Sequence, residues 1–377
     1  MYSVAQRIPS RRRRVALAIG WVCALTLVVA GCNRIPDGEA IDTDLVFGDV
    51  GLSNGQFSYP RAIDAGAGSV IVVDKSARVQ RFDAESGEFL GGFRMPDWKL
   101  GKPTGLTLGP AIDDPSRTVV YVADTHYHRV AVYPLPDDPD ADARTIAEPE
   151  LSFGEYGVED GQFVYLTDVA LLLDEAGAVE RIYVSEYGGN DRISVFAVDR
   201  SGEDGPVVRF LFTFGTFGDG PGVVGTRQVE FERPQALAID HQRRELYMLD
   251  NNNHRIGVFT LEGELIEWVG DEPGEPEFLN PQGFVLLEGR RALVTEFLGN
   301  RVQVVDLEAG ASLGSYGHAG RLEGELASPW GVAMIGREVF VLDSGNNRVQ
   351  RFRGPGRVLG SPWRQQERVV TQAGGDS

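Results

Sequence analysis

Six apolar stretches of this 377-residue chain end in a carboxylate, at Asp74, Asp124, Glu186, Asp250, Glu296 and Asp343. Acids repeated at one structural position are the raw material of a metal ring or of acid–base chemistry. Each is followed four to six residues later by an arginine: Arg78, Arg129, Arg192, Arg255, Arg301 and Arg348. A carboxylate facing a guanidinium across a short turn is satisfied locally by charge-assisted hydrogen bonds. The spacing therefore points to scaffold pairs. Of the five histidines, His128 and His254 sit in the turn directly before a repeat arginine and His126 shares the first of those turns. His241 and His318 fall in connecting segments. A catalytic zinc needs convergent ligands, commonly three, and these histidines are spread along the chain. No nucleophile elbow, phosphate-cradling loop or dinucleotide fingerprint occurs in a suitable context. No catalytic residue, metal or cofactor is expected.

The elements that must carry these pairs are β-hairpins. Leu246–Phe259, LYMLDNNNHRIGVF, is an alternating apolar run, an Asp, three asparagines and a second apolar run beginning at Arg255. Strand alternation flanking Asn/Asp turn residues reads as a hairpin. Val70–Phe82, Val119–Tyr133, Ile182–Phe196, Ala292–Val305 and Val339–Phe352 repeat it, the arginines recurring at intervals of 46 to 63 residues. Upstream of each lies a Gly- and Phe-rich stretch, then usually Pro, then a short apolar strand, as in FGDVGLSNGQFSYPRAID from Phe47 and YGHAGRLEGELASPWGVAM from Tyr316. Self-similarity at this period means stacked supersecondary units. These residues resemble the NHL repeat, Asn253-His254-Arg255-Ile256 being a variant of its Asn-His-Leu signature. The resemblance runs from Leu45 to Phe352. It implies an all-β, six-bladed propeller over 44–353 with four antiparallel strands per blade. The sixth blade lacks an obvious fourth strand, and Asp44–Phe47 is expected to return and close it, although Arg357–Leu359 competes for that role. Two insertions, Pro134–Glu150 (acidic, Pro-rich) and Gly218–Glu232 (Gly-rich), read as loops on a propeller face without a core of their own.

Proline at 60, 103, 234, 281 and 329 suits the innermost strand, an edge on which a missing N–H costs little. The slot after it holds Arg61, Thr104, Asp168 (after Thr167), Gln235, Gln282 and Trp330. The peptidylglycine amidating lyase, a six-bladed relative of the family this chain resembles, draws zinc-binding histidines from that slot, and none is histidine here. Gluconolactonase-like propellers hold a divalent ion with carboxylates and Asn, and Asp168 is the single carboxylate in the slot. A guanidinium, two amides, a hydroxyl, a carboxylate and an indole suit recognition of a small polar ligand, a glycan or a peptide end. A second ring is expected from Lys75, Thr125, Tyr187, Asn251, Phe297 and Ser344.

The first 31 residues read as an address: Arg11–Arg14, an apolar run Val15–Ala30 too short for a comfortable membrane span, then Val29-Ala30-Gly31-Cys32. That ending resembles the lipobox of bacterial lipoproteins, which implies lipidation at Cys32. The resemblance implies a cell-envelope protein, lipid-anchored and extracytoplasmic, at the outer membrane where the source has one, since Asn33 replaces the retention-signal Asp. Residues 32–43 read as a tether and 354–377 as a flexible tail. Cys23 lies in the leader, so a chain acylated at Cys32 has no disulfide and must be held by packing. The leader carries five arginines and no acid, taking the formal charge from −19 to −24 on its removal. Such a body repels nucleic acid, and the membrane is met through the anchor alone. The reading is a monomeric binding or scaffolding module for a small polar ligand, glycan, peptide or envelope protein. The alternative is a channel-mouth lyase or hydrolase without a three-histidine zinc site. A third possibility is an adaptor using its blade edges and insertion loops.

Overall fold

A computed structural model describes residues 41–203 and 205–353. The leader, Cys32, the tether up to residue 40 and the tail lie outside the described residues. The chain forms six four-stranded antiparallel sheets. From the inner strand outward, the first is Pro60–Gly66, Ser69–Asp74, Arg78–Asp83 and Phe89–Arg94. Four more begin at Gly105, Tyr165, Pro234 and Pro281, and the sixth is Gly331–Ile335, Glu338–Asp343 and Arg348–Arg353. Its outer strand is Thr43–Phe47, antiparallel to Arg348–Arg353 with Val46 opposite Gln350 and Phe47 opposite Val349. The two ends of the described chain are thereby hydrogen-bonded within one sheet, and the ring closes as the repeat pattern requires. The closing element begins earlier than the sequence suggests: Thr43 is already in the strand, and Ile41 is buried against Val302 and Leu326.

Each blade buries both faces, which is why second strands such as Ser69–Asp74 are buried throughout and read as continuous apolar runs. The core is six clusters, one between each pair of neighbouring blades. Between blades, the Gly/Phe-rich segment folds into a repeated loop. Gly48 has φ +93°, and a Cβ there would lie 2.3 Å from the Phe57 ring. Gly154 under Phe163 and Gly215 under Phe231 repeat the arrangement, so glycine is required both for its dihedral and for the ring stacked on it.

Both insertions depart from expectation. The segment after Pro134 folds back along the outer strand of the first blade, where Arg94 N–H donates to Thr145 O and Ala147 N–H to Arg94 O. It also buries Ala143 against Gly92. The 218–232 segment does the same for the fourth blade through Gly225 N–H to Leu265 O and Leu265 N–H to Thr226 O. It contributes Val229 and Phe231 to the core. An unpaired outer strand is an aggregation hazard, and these segments cover two of them rather than lying free on a face.

Candidate ligand site at the channel mouth

The six repeat arginines fasten each hairpin to the loop entering its blade. Arg255, 1% exposed, pairs with Asp250 at 3.0 Å, donates to Gly220 O and Glu230 O, and lies 3.7 Å from the Trp268 ring centroid. Arg78, Arg129, Arg192, Arg301 and Arg348 likewise pair with Asp74, Asp124, Glu186, Glu296 and Asp343. The acids also accept backbone N–H groups of the entering loop, Glu232 N on Asp250 and Ala327 N on Asp343. Burial pushes Asp124 and Asp250 up to about 6 and raises Glu186, Glu296 and Asp343. All are committed to the frame. Among the described residues, no three His, Cys, Asp or Glu side chains gather where they could hold a metal ion.

The turn residue before five of the six arginines, all but Ala77, reaches the rim of the next blade. Asn347 Oδ1 accepts Tyr59 N–H at 2.7 Å, Asp191 Oδ1 accepts Arg233 N–H at 2.6 Å, and Asn300 Oδ1 accepts Ser328 N–H at 2.9 Å. His254 Nδ1 meets Asn280 N, and His128 Nδ1 meets Val164 O, which gives both histidines a scaffold role. The rim residues Tyr59, Arg233, Asn280 and Ser328 all have φ between +47° and +63°. Left-handed backbone at Tyr or Arg is sparsely populated and persists only where the surroundings impose it. The side-chain acceptors of the preceding blade impose it here.

Arg61, Thr104, Asp168, Gln235, Gln282 and Trp330 all line one central cavity at the start of the inner strands. They differ in what they offer. Thr104 is held by Thr125 and the carbonyl of Leu166. Gln235 accepts from Arg233 Nε at 3.0 Å, and Gln282 Nε2 donates to Asn280 at 2.7 Å. Asp168 accepts Leu237 N–H at 2.9 Å, so it staples the third blade to the fourth. Asp64, a lining residue missed in the sequence, staples the first to the second through Leu108 N–H at 2.8 Å. Trp330 is 8% exposed and packs among Tyr59, Ile63 and Phe297, so it is a wall of the mouth and also core. Of the second ring, Thr125, Asn251 and Ser344 are buried in hydrogen bonds to the frame, while Lys75 is exposed and Tyr187 and Phe297 are half-buried beside the mouth.

Arg61 stands apart. Its guanidinium lies 5.1 Å from the Trp330 ring centroid and 5.9 Å from that of Tyr59. Its Nε, like Trp330 Nε1 and Gln282 Oε1, is buried without a hydrogen-bond partner among the described residues. Burial lowers its pKa, and the nearby Arg233 cation lowers it further. Arg233 itself lies over Tyr187, 5.1 Å from the ring centroid. Tyr59 and Arg233 precede the inner-strand prolines, a slot as variable between repeats as the one after them. That variability was the signal in the sequence that would have found them.

The family profile of the NHL repeat matches residues 326–352. No curated protein sequence matches the chain. Among solved structures, a structural-genomics protein of unknown function from Bacteroides thetaiotaomicron VPI-5482 is similar at 19% identity and a TM-score of 0.50, over 84% of this chain and 74% of that one. A streptogramin B lyase is similar at 14% identity and a TM-score of 0.48, over 84% of this chain and 89% of that one. At these identities the likenesses concern the fold.

Proposed function

We propose, from the premise that the chain is a six-bladed β-propeller carrying the NHL repeat, that it is a binding module taking its ligand at the inner-strand mouth of the central channel. The observation that carries this reading is the division of labour between repeated and variable positions. The repeated Asp/Glu–Arg pairs are consumed in fastening each hairpin to its entering loop, whereas the variable slots converge on one cavity. Such a concave site with a few convergent polar groups is the default place for a ligand. Ligand-observed NMR against simple sugars, amino acids and short peptides tests it. Compounds that bind are expected to lose at least tenfold in affinity in Arg61→Gln, about 1.4 kcal/mol. Hits unaffected by mouth substitutions would remove the site from this cavity.

A second reading, docking of an envelope protein on the same end of the ring, is favoured by its exposed apolar loops. Val50, Leu52, Tyr156, Val158, Phe217 and Leu322 are 48–71% exposed in the loops that lead into the inner strands. Isolated exposed apolar residues are ordinary, but a set collected at one end marks an interaction surface. Loss of partner capture on Tyr156→Ser with Val158→Ser, and not on Arg61→Gln, would favour this reading over the first.

The same proposal places the propeller outside the cytoplasm on a lipidated Cys32, supported by the Val-Ala-Gly-Cys ending of the leader. Cys32→Ala is expected to block lipidation and shift the protein out of the detergent phase on Triton X-114 partitioning. Stable anchoring needs more than one acyl chain, so the loss should be complete. Unchanged partitioning of the variant would overturn the anchor.

A further inference from the structure

The mouth gathers positive charge that has no ion-pair partner among the described residues. The repeat arginines each have a carboxylate partner. Arg61 and Arg233 form no ion pair among the described residues. Each is within reach of an aromatic face; Arg61 lines the cavity wall, and Arg233 reaches it through Gln235, to which its Nε donates at 3.0 Å. His126 packs beside Tyr165, and burial, with the Lys102 and Arg61 charges, lowers its pKa and favours the neutral imidazole. The two carboxylates of the cavity wall, Asp64 and Asp168, each accept a backbone N–H of the adjacent blade, and Asp191 accepts Arg233 N–H.

Burying a cation without a counter-ion is costly, and setting a second one beside it adds repulsion. The rest of the chain shows no shortage of acid, with a formal charge of −19. In so acidic a protein, a pair of arginines without an ion-pair partner among the described residues has the chemistry of an anion site. Arginine suits the task because its planar fork matches an oxyanion through two parallel hydrogen bonds. The aromatic walls Trp330, Tyr59, Tyr187 and Phe297 would flank whatever carries the anion. The acidic body in turn disfavours a polyanion.

We propose that the mouth recognises a small oxyanion, a carboxylate or a phosphate, borne on a flat apolar group, with Arg61 and Arg233 as the clamp and Trp330 and Tyr187 as the flanking faces. This rests on the reading of the mouth as the ligand site and gives that site its chemical class. The test uses benzoate and phenyl phosphate as probes, benzyl alcohol as the neutral control, and ligand-observed NMR at low ionic strength on the full-length protein in detergent. Both anions are expected to bind at least tenfold more tightly than benzyl alcohol and to weaken steeply with added salt. Whichever of the two binds better identifies the head group as carboxylate or phosphate.

Arg61→Gln and Arg233→Gln should each weaken the anions tenfold or more while leaving the melting temperature unchanged or raised, because each relieves the repulsion. Arg61→Lys should recover part of the affinity, keeping charge without the fork. Trp330→Phe, which keeps an aromatic face of smaller area, should weaken the aromatic anions more than inorganic phosphate. Benzyl alcohol binding as well as benzoate, with both sensitive to Trp330→Phe, would overturn the anion assignment and leave the mouth as the site. Failure of both anions to bind, while neutral compounds bind and ignore every mouth substitution, would overturn both. A melting temperature several degrees lower in Arg61→Gln and Arg233→Gln would make these arginines structural and likewise overturn the proposal.

Discussion

Arg255→Ala is expected to lose about 3–5 kcal/mol of stability at neutral pH, the range for removing one partner of a buried ion pair. Asp250 is fully buried and would be left without the guanidinium, to hold an unpaired charge or take up a proton, while Gly220 O and Glu230 O would lose their donor. The loss should depend on pH in a defined direction. Burial holds the Asp250 carboxyl up to about 6, against an ordinary 3.8. The folded state therefore binds this proton more tightly than the unfolded chain. The stabilisation from protonation is fully present below the unfolded value and disappears as pH rises through about 6. Arg255 holds the carboxyl down, so its removal raises Asp250 further and lets it protonate near pH 6 or above. The deficit of Arg255→Ala should thus be smaller at pH 5 than at pH 7. Adding Asp250→Asn should recover part of it at pH 7. Urea unfolding of the three proteins at the two pH values measures this. A deficit under 1 kcal/mol, or one unchanged between pH 5 and pH 7, would show that the pair is not the fastener described.

Chains that start at different residues should separate sharply. A protein beginning at Ile41 is expected to fold, since it retains every described buried group of the closing element. One beginning at Asp44 loses Ile41, 6% exposed, and should fold with a penalty of about 2 kcal/mol. One beginning at Leu52 also loses Leu45 and Phe47, and at roughly 1.5–3 kcal/mol each the three together approach the net stability of a whole domain. It also strips Arg351, 5% exposed, of its bond to Asp44 at 2.9 Å. The edge of Arg348–Arg353 is then bare and ready to pair with another copy. Circular dichroism and size-exclusion chromatography should find this last chain unfolded or aggregated. A monomer with an unchanged melting temperature would mean the ring does not depend on its N-terminal strand.

The period-2 apolar alternation, the Asp/Glu–turn–Arg spacing and the recurring Gly/Phe segments are local signals, and they determined the blades by themselves. The missing fourth strand of the sixth blade was legible for the same reason, because a repeat with a gap and an unassigned strand at the other end of the chain have one economical solution. The variable slot after each proline was also readable, since repetition fixes which position faces the channel.

What the sequence could not decide was which polar groups in that slot are spent. Asp168 and Arg61 occupy equivalent positions, yet Asp168 accepts Leu237 N–H from the neighbouring blade, while Arg61 has Trp330 and Tyr59 beside it and no ion pair among the described residues. Those partners lie one blade away and come together only when the ring closes. The insertions show the same limit. Their composition reads as free loop, but they gain order by hydrogen-bonding to outer-strand edges that are not visible as edges until the sheets are assembled. Repetition determined the frame, because each blade repeats one local solution. The chemistry at the mouth was decided by tertiary structure, because it depends on contacts between blades that no single repeat contains.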